Sequence, residues 1–323
     1  MRIWKYIPAF AIIALSNGAI AQERDQVNAR YSWTVRGEYA PFYLAQERGY
    51  YDRARLSVQL APGTSTQTAL STMLQGQDDV VIMPAVFALT AIQKNLPVKI
   101  VALYHEVTPM GLISFPDNPI RTPKDLEGKS IATSVGDTAA TYLGVLCELN
   151  NVDCTKIKKV QVNPQVRYTQ FIQKQVDTVS VYYTDALPIL EQSQKIEFTL
   201  LDLPTYGVKI PGLSFVTSEI NLDKKVGLLN RFVMAVDQGI RDSKKDPEAA
   251  ADAMMKHWEN HPDRSIVLAQ VRATLAAMTE PIGHPYGWVE ERAINAALQI
   301  MKAAKEIDNP LPGKSYFSNK LIQ

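Results

Sequence analysis

Residues 33–83 read WTVRGEYAPFYLAQERGYYDRARLSVQLAPGTSTQTALSTMLQGQDDVVIM, and strand-like runs alternate with helical runs in them. Apolar residues at alternate or successive positions predict strands at 31–35, 56–60 and 80–83. Between these strands, Gly49 ends one helical run, and the T-x-x-Q spacing of Thr64 and Gln67 predicts the capping box of the next helix. The alternation predicts a parallel sheet, and ligands bind such sheets beyond the carboxyl ends of the strands.

A second α/β unit follows near Thr122, and the last third of the chain is mainly helical. Strands at 98–104 and 110–115 flank the point where we expect the chain to leave the first unit. The other predicted strands are 130–133, 159–162, 178–181, 198–201 and 213–217. The predicted helices of this part are 165–173, 185–194, 225–244, 247–258, 264–277 and 289–307.

The N-terminus has the pattern of an export signal. Arg2 and Lys5 form a basic region, the apolar stretch 6–20 follows, and the small residues around Ala21 form an A-x-A cleavage site. The apolar stretch is too short for a membrane-spanning helix. The sequence therefore predicts a signal peptide at 1–21, cleavage after Ala21 and a periplasmic protein.

The composition excludes some classes of partner. The chain has 323 residues and a formal net charge of +1, so it has no overall field that attracts nucleic acid. Its two cysteines, Cys147 and Cys154, are seven residues apart, and an oxidising periplasm permits a disulfide between them. A reactive or metal-binding thiol pair is the alternative, but the CxxC spacing is missing. We expect the disulfide.

Four blocks of sequence resemble the periplasmic solute-binding proteins of ABC importers. They read PFYLAQERGYYD, PGTSTQTALSTMLQGQDDVVI, NLPVKIVALY and IRTPKDLEGKSIATSVGDTAATYL. The most similar branch binds nitrate, sulfonates, taurine or the pyrimidine precursor of thiamine, and the resemblance is densest over residues 33–143. It implies a type II periplasmic-binding-protein fold, with two α/β lobes joined by two hinge crossings around a ligand cleft. Lobe 1 would comprise 22–108 and 212–323, including the C-terminal helices, and lobe 2 would comprise 109–211.

Loops that follow the predicted strands supply the candidate ligand-binding residues. Hydroxyls and free N–H groups at helix starts suit polar or anionic groups, and tyrosines at loop edges offer an apolar face with a polar tip. Thr138 equally fits a helix cap. The candidates are Arg36, Glu38, Tyr39, Phe42, Ser65, Thr66, Pro84, Ser134, Gly136, Asp137, Thr138, Tyr182, Tyr183, Asp185 and Tyr206.

The charges of these candidates bear on the class of ligand. A nitrate or sulfonate site favours several cationic donors, whereas the candidates offer Arg36 against three carboxylates and several tyrosines. This mixture favours a planar, heteroaromatic, pyrimidine-like nutrient. The first loop lacks the Asn and His of the thiamine-precursor proteins. The alternatives are an aliphatic sulfonate, taurine or nitrate, or a sensory protein that reports ligand to a membrane receptor.

Catalysis is not expected. The fold also resembles that of a pyrimidine synthase that uses its own His and a Cys-rich loop, but the first loop here has no His and the chain has no Cys-rich run. His257 and His261 have metal-like spacing, yet Trp258 stands where a zinc protease needs Glu. We expect no metal and no cofactor. The expected partners are the small-molecule ligand and an ABC permease in the inner membrane, and we expect a monomer.

Overall fold

The computed structural model describes residues 24–134 and 137–322, so the predicted signal peptide and Gly136 lie outside the described residues. The strands are β1 (Asp25–Tyr31), β2 (Leu56–Ala61), β3 (Val80–Pro84), β4 (Val98–Leu103), β5 (Met110–Ser114), β6 (Ser130–Thr133), β7 (Lys158–Gln161), β8 (Thr178–Tyr182), β9 (Thr199–Asp202) and β10 (Leu213–Ser218). The α-helices are α1 (Ala40–Glu47), α2 (Tyr50–Arg53), α3 (Thr66–Leu74), α4 (Ala85–Gln93), α5 (Thr138–Leu149), α6 (Arg167–Ile172), α7 (Ala186–Gln194), α8 (Glu219–Lys224), α9 (Val226–Lys245), α10 (Pro247–Met255), α11 (Arg264–Ala277) and α12 (Glu291–Ala303).

The strands form two separate five-stranded sheets. The first has the order β2-β1-β3-β10-β4 and the second has the order β7-β6-β8-β5-β9. In the first sheet, β10 is antiparallel to β3 and β4, and in the second, β5 is antiparallel to β8 and β9. The chain therefore crosses to the second sheet between β4 and β5 and returns between β9 and β10. This topology confirms the predicted fold of two α/β lobes, while the residue limits given for the lobes stay a prediction.

The C-terminal helices complete the core of the first lobe. Helix α9 packs against α1, and α10 packs against both. Apolar residues at helical spacing, including Leu229, Phe232 and Val236, form the buried face of α9. Phe232 stacks on Phe215 of β10 with ring centroids 5.3 Å apart, so the helical tail is joined directly to the first sheet. None of the helices in the described ranges combines the length and apolar character that a membrane crossing requires.

Four predictions about the limits of elements are wrong. The first strand ends at Tyr31 and its buried residues are Val27, Ala29 and Tyr31, so the run 32–35 is a loop. Ser65, not Thr64, caps α3, because its Oγ accepts the Thr68 N–H at 3.1 Å. Helix α10 ends at Met255, and α12 covers Glu291–Ala303 only. The predicted strand 31–35 shares only Tyr31 with β1, so that strand was misplaced. The other three errors lie at helix ends, where the hydrophobic pattern is weakest.

Cys147 and Cys154 form a disulfide, with their Cα atoms 5.8 Å apart. Cys147 lies in the last turn of α5, and Cys154 lies in the short turn that leads to β7. The bond therefore holds the end of α5 to the connection that follows it.

Gly239 allows α9 to approach α1. A Cβ added at Gly239 would lie 2.4 Å from the Pro41 carbonyl oxygen and 2.8 Å from Ala45 Cβ, whereas a Cβ at Gly227 meets nothing within 4 Å. We expect Gly239→Ala to lower the free energy of unfolding by about 1–3 kcal/mol, because the two helices must move apart. Gly227→Ala in the same helix is the matched control and should cause no loss. Chemical denaturation measures both, and equal stability of the two variants would contradict this packing.

Candidate functional site

The two lobes enclose a cavity of about 540 Å³. It lies at the carboxyl ends of β1, β3, β6 and β8, where the topology of parallel sheets places ligands. Most of the predicted site residues line this cavity. They are Arg36, Glu38, Tyr39, Ser65, Thr66 and Pro84 from the first lobe, and Ser134, Asp137, Thr138, Tyr182 and Asp185 from the second.

Three predicted site residues lie elsewhere. Phe42 is fully buried in α1 and packs on Phe215 at 5.4 Å, so it belongs to the core. The Tyr183 hydroxyl donates to the Met110 carbonyl oxygen at 2.7 Å and bonds to Asp202, because side chains of successive residues at a strand end point to opposite sides. The Tyr206 hydroxyl donates to the Arg121 carbonyl oxygen at 3.1 Å and stays outside the cavity.

Several cavity residues were missed by the sequence reasoning. Arg167 and Tyr168 begin α6, which follows β7. They could have been found by looking beyond the carboxyl end of this strand, as was done for the other strands. His105 and Thr108 lie in the segment between β4 and β5, where the chain first crosses between the lobes. This segment forms the floor of the cavity. The missed lining residues are Ser32, Trp33, Phe87, His105, Thr108, Pro109, Met110, Ala139, Pro164, Gln165, Arg167, Tyr168, Ser180, Val181, Gly212 and Leu213.

Arg36 and Asp185 join the two lobes across the cavity. The Arg36 Nη1 donates to Asp185 Oδ2 at 3.1 Å, and Arg36 Nε lies 3.5 Å from Glu38 Oε1. Burial acts to lower the pKa of Arg36, but the charges of Asp185 and Glu38 outweigh it and raise the pKa. Burial raises the pKa of Glu38, although Arg36 partly opposes this shift. Arg36 is therefore a cation with two carboxylate partners.

Gln270 of α11 reinforces the same contact. Its Oε1 accepts the Gly37 N–H at 3.0 Å, and its Nε2 donates to the Asp185 carbonyl oxygen at 2.9 Å. The side chain is fully buried, and a Cβ added at Gly37 would lie 2.4 Å from Gln270 Cβ. Gly37 is therefore needed for the glutamine to reach Asp185. A second glutamine, Gln192 of α7, contacts Asp263 at 3.2 Å on the exposed surface.

The wall of the second lobe is held by internal hydrogen bonds. Asp137 caps α5, since its Oδ1 accepts the N–H groups of Ala139 and Ala140. Both carboxylate oxygens also lie 2.9 Å from the Ser180 Oγ, which donates to them. The Tyr182 hydroxyl donates to Thr138 Oγ1 at 2.9 Å. Asp137 is thus the helix cap, and Thr138 orients a cavity tyrosine.

Four lining residues have a buried polar atom without a hydrogen-bond partner in the described part of the protein. These atoms are Arg36 Nε, Thr108 Oγ1, Ser134 Oγ and Arg167 Nε. The two guanidinium nitrogens can only donate, and the hydroxyls can donate or accept. An unpaired buried donor is costly, so the cavity favours a ligand that offers acceptor atoms. Within residues 24–134 and 137–322, no group of three or more His, Cys, Asp or Glu is placed to hold a metal ion.

His105 is a buried neutral residue at the floor of the cavity. One ring nitrogen, Nε2, lies 3.2 Å from the Thr274 carbonyl oxygen. Burial lowers the pKa of His105 from 6.5 to about 4, although the hydrogen bond to Thr274 acts in the opposite direction. His257 contacts Glu47 at 3.2 Å and stacks on Tyr43, and His261 contacts the Pro262 carbonyl oxygen. The two histidines therefore have different partners, although their spacing is like that of a metal site.

We expect Gln270→Leu to open the cleft of the ligand-free protein. The substitution keeps the side-chain volume similar but leaves the Gly37 N–H and the Asp185 carbonyl unpaired in the closed form, at about 1–3 kcal/mol each. Opening hydrates both groups, so small-angle scattering should give a larger radius of gyration. Gln192→Leu removes an exposed contact between the lobes and should leave the radius unchanged. A radius equal to that of the wild type in both variants would rule out this role of Gln270.

Because buried His105 resists protonation, the free energy of unfolding should fall as the pH becomes acidic. The unfolded chain binds the proton near pH 6.5 and the folded chain only near pH 4. The contribution of neutral His105 to the free energy of unfolding is therefore fully present above pH 6.5. It is lost as the pH falls from 6.5 towards 4. When the pH is lowered from 7 to 5, the free energy of unfolding should fall in both proteins, but by about 2 kcal/mol less in His105→Gln than in the wild type. The exposed His261→Gln is the control, and parallel pH profiles for wild type and His105→Gln would exclude this account.

Comparisons with known proteins agree with this architecture. Riboflavin-binding protein RibY from Chloroflexus aurantiacus is 22% identical over 313 residues, which cover 92% of this chain and 86% of that protein. A 4-amino-5-hydroxymethyl-2-methylpyrimidine phosphate synthase from Legionella pneumophila is 21% identical over 247 residues, covering 73% of this chain and 75% of that protein.

Among solved structures, the aliphatic sulphonate binding protein SsuA from Escherichia coli has a TM-score of 0.70 at 12% identity, covering 92% of this chain and 98% of that chain. The desulfurization enzyme DSZB has a TM-score of 0.63 at 12% identity, covering 92% and 97%. These likenesses confirm the predicted fold, which binding proteins and enzymes share. The family model described as NMT1/THI5 like matches residues 36–250, about two thirds of the sequence, and the chain therefore belongs to the NMT1/THI5-like family.

Proposed function

We propose that this protein is the solute-binding component of an ABC import system. It captures a small, planar, heteroaromatic nutrient between its two lobes and delivers it to a permease in the inner membrane. The observation that carries this proposal is the cavity of about 540 Å³, to which both lobes contribute aromatic side chains. Trp33 and Tyr39 come from the first lobe, and Tyr168 and Tyr182 come from the second. The volume lies within the range of about 300–1,000 Å³ that small-molecule sites occupy.

The aromatic residues favour a flat ligand. Tyr39 stacks on Tyr31 with centroids 3.8 Å apart and planes 10° apart, so its ring has a fixed orientation at the cavity wall. Tyr182 is held by its bond to Thr138. Tyr39 is only 2% exposed and supports the wall, whereas the half-buried Tyr168 and Tyr182 and the exposed Trp33 offer faces on which another ring can stack with little loss of conformational freedom.

The polar groups favour a ligand that both donates and accepts hydrogen bonds. Glu38 and Asp185 supply acceptors, and the unpaired atoms of Ser134 and Thr108 supply donors. Ring nitrogens and carbonyls of a heterocycle match such a mixture. The names of two relatives fit this class, since one is a riboflavin-binding protein and another is a pyrimidine phosphate synthase.

An aliphatic sulfonate, taurine or nitrate is the alternative, supported by the SsuA structures. It is less favoured here because a small aliphatic anion would leave the aromatic side chains of the cavity, Trp33, Tyr168 and Tyr182, without a ring to stack on.

We also propose that the protein binds its ligand without transforming it. Burial lowers the pKa of the cavity residue His105 to about 4, so its imidazole is a weak base. Cys147 and Cys154 are bonded to each other and do not line the cavity. Relatives named as synthases make this a proposal to test, by following the ligand for chemical change after incubation. A periplasmic location, a monomeric state and cleavage after Ala21 belong to the same proposal.

Thermal-shift screening of the protein from Gln22 onwards tests the ligand class. Uracil, other pyrimidines, riboflavin, taurine, alkanesulfonates and nitrate form the set. A ligand that binds only the folded state raises the melting temperature as its concentration increases. We expect heteroaromatic compounds to raise it and the small aliphatic anions to have little effect. A shift with taurine, alkanesulfonates or nitrate alone would contradict the heteroaromatic assignment.

Trp33→Ala should then weaken binding of a heteroaromatic hit by about fivefold, because the ring contributes a stacking surface. Trp33 is 45% exposed, so its truncation leaves the core intact. Ile220→Ala, an exposed apolar truncation away from the cavity, is the control and should bind as the wild type does. If Trp33→Ala and Ile220→Ala bind the ligand with equal affinity, Trp33 does not contact the ligand.

A further inference from the structure

Two arginines line the cavity, and their surroundings differ. Arg36 lies 3.1 Å from Asp185 and 3.5 Å from Glu38. Arg167, which begins α6, has no carboxylate within ion-pair distance in the described ranges. The wall of the second lobe therefore carries a positive charge that the described residues do not compensate directly.

The Arg167 side chain is held against Tyr168. Its Nη2 donates to the Tyr168 hydroxyl at 2.6 Å, and its Cζ lies 4.5 Å from the centroid of the Tyr168 ring. Its Nε is buried and has no partner among the described residues. The guanidinium is thus fixed in orientation, partly withdrawn from water and short of acceptors.

The carboxylates of the second lobe that line the cavity are already engaged. Asp137 accepts from Ser180 and from two N–H groups of α5, and Asp185 accepts from Arg36. Neither forms an ion pair with Arg167 among the described residues. A group that compensates Arg167 is therefore expected to arrive with the ligand.

We propose that the ligand carries an oxyanion, a carboxylate, sulfonate or phosphate attached to its aromatic ring, and that Arg167 binds it. This inference rests on the proposed function and narrows its ligand class. A guanidinium is complementary in shape to an oxyanion and forms charge-assisted hydrogen bonds with it. Desolvating such a cation without a partner is costly, so a neutral ligand that closed the cavity would bind less tightly than its acidic counterpart. Arg167 is then a specificity-determining residue.

Matched pairs of ligands test the inference by calorimetry on the protein from Gln22 onwards. The pairs are uracil with orotate and riboflavin with riboflavin 5′-phosphate, and taurine is the non-aromatic anion. We expect the acidic member of at least one pair to bind the wild type about tenfold more tightly than its neutral partner. Arg167→Gln should remove that preference by weakening the acidic partner, and it should not weaken the neutral partner, because the cost of desolvating the cation is removed with it.

Two variants complete the design. Arg167→Lys keeps the charge but not the planar fork, and it should retain part of the preference. It also tests the charge if Arg167→Gln does not fold. Arg121→Gln makes the same replacement at an exposed arginine of the second lobe, outside the cavity, and should retain the full preference.

The possible results separate the two proposals. Equal binding of acidic and neutral partners, or an unchanged preference in Arg167→Gln, overturns the role of Arg167 and keeps the heteroaromatic ligand class. Binding of taurine alone, lost in Arg167→Gln, supports the role of Arg167 and overturns the heteroaromatic class. Binding of none of these compounds counts against both.

Discussion

The ion pair between Arg36 and Asp185 is the interaction on which the closed arrangement of the lobes depends. It joins the loop after β1 to the end of β8, and both residues line the cavity. Both partners are partly withdrawn from water, so separating them without hydration would be costly. The same pair also neutralises a cavity cation. One contact therefore influences both the shape of the cleft and the charge that a ligand encounters.

The C-terminal helices contribute to this contact as well as to the core. Helices α9 and α10 complete the first lobe, and α11 places Gln270 between Gly37 and Asp185. Because the buried amide of Gln270 bonds to Gly37 in the first lobe and to Asp185 in the second, it links the helical tail to the closure of the cleft. The tail therefore affects the cleft through Gln270, although none of the residues that line the cavity belongs to it.

Sequence reasoning located much of the site because strand ends in parallel sheets share one edge. It found Arg36, Asp137 and Asp185 by that rule. It failed for Tyr183, since a strand end presents neighbouring side chains to opposite sides and only Tyr182 faces the cavity. It also failed for Phe42, whose position in the first turn of α1 directs it to the core. Arg167 was missed although its helix was predicted at 165–173, because no candidate was taken from the loop and helix start that follow β7.

By itself, the sequence determined the alternation of strands and helices, the family resemblance and the pair of cysteines, because these depend on local pattern and composition. Tertiary structure alone decided which charges are compensated. Arg36 meets Asp185 149 residues further along the chain, and Gln270 reaches Gly37 across 233 residues. Such contacts depend on how the two sheets and the helical tail pack, and no local pattern encodes them. For the same reason, only the folded chain shows that Arg36 is paired while Arg167 has no carboxylate partner among the described residues.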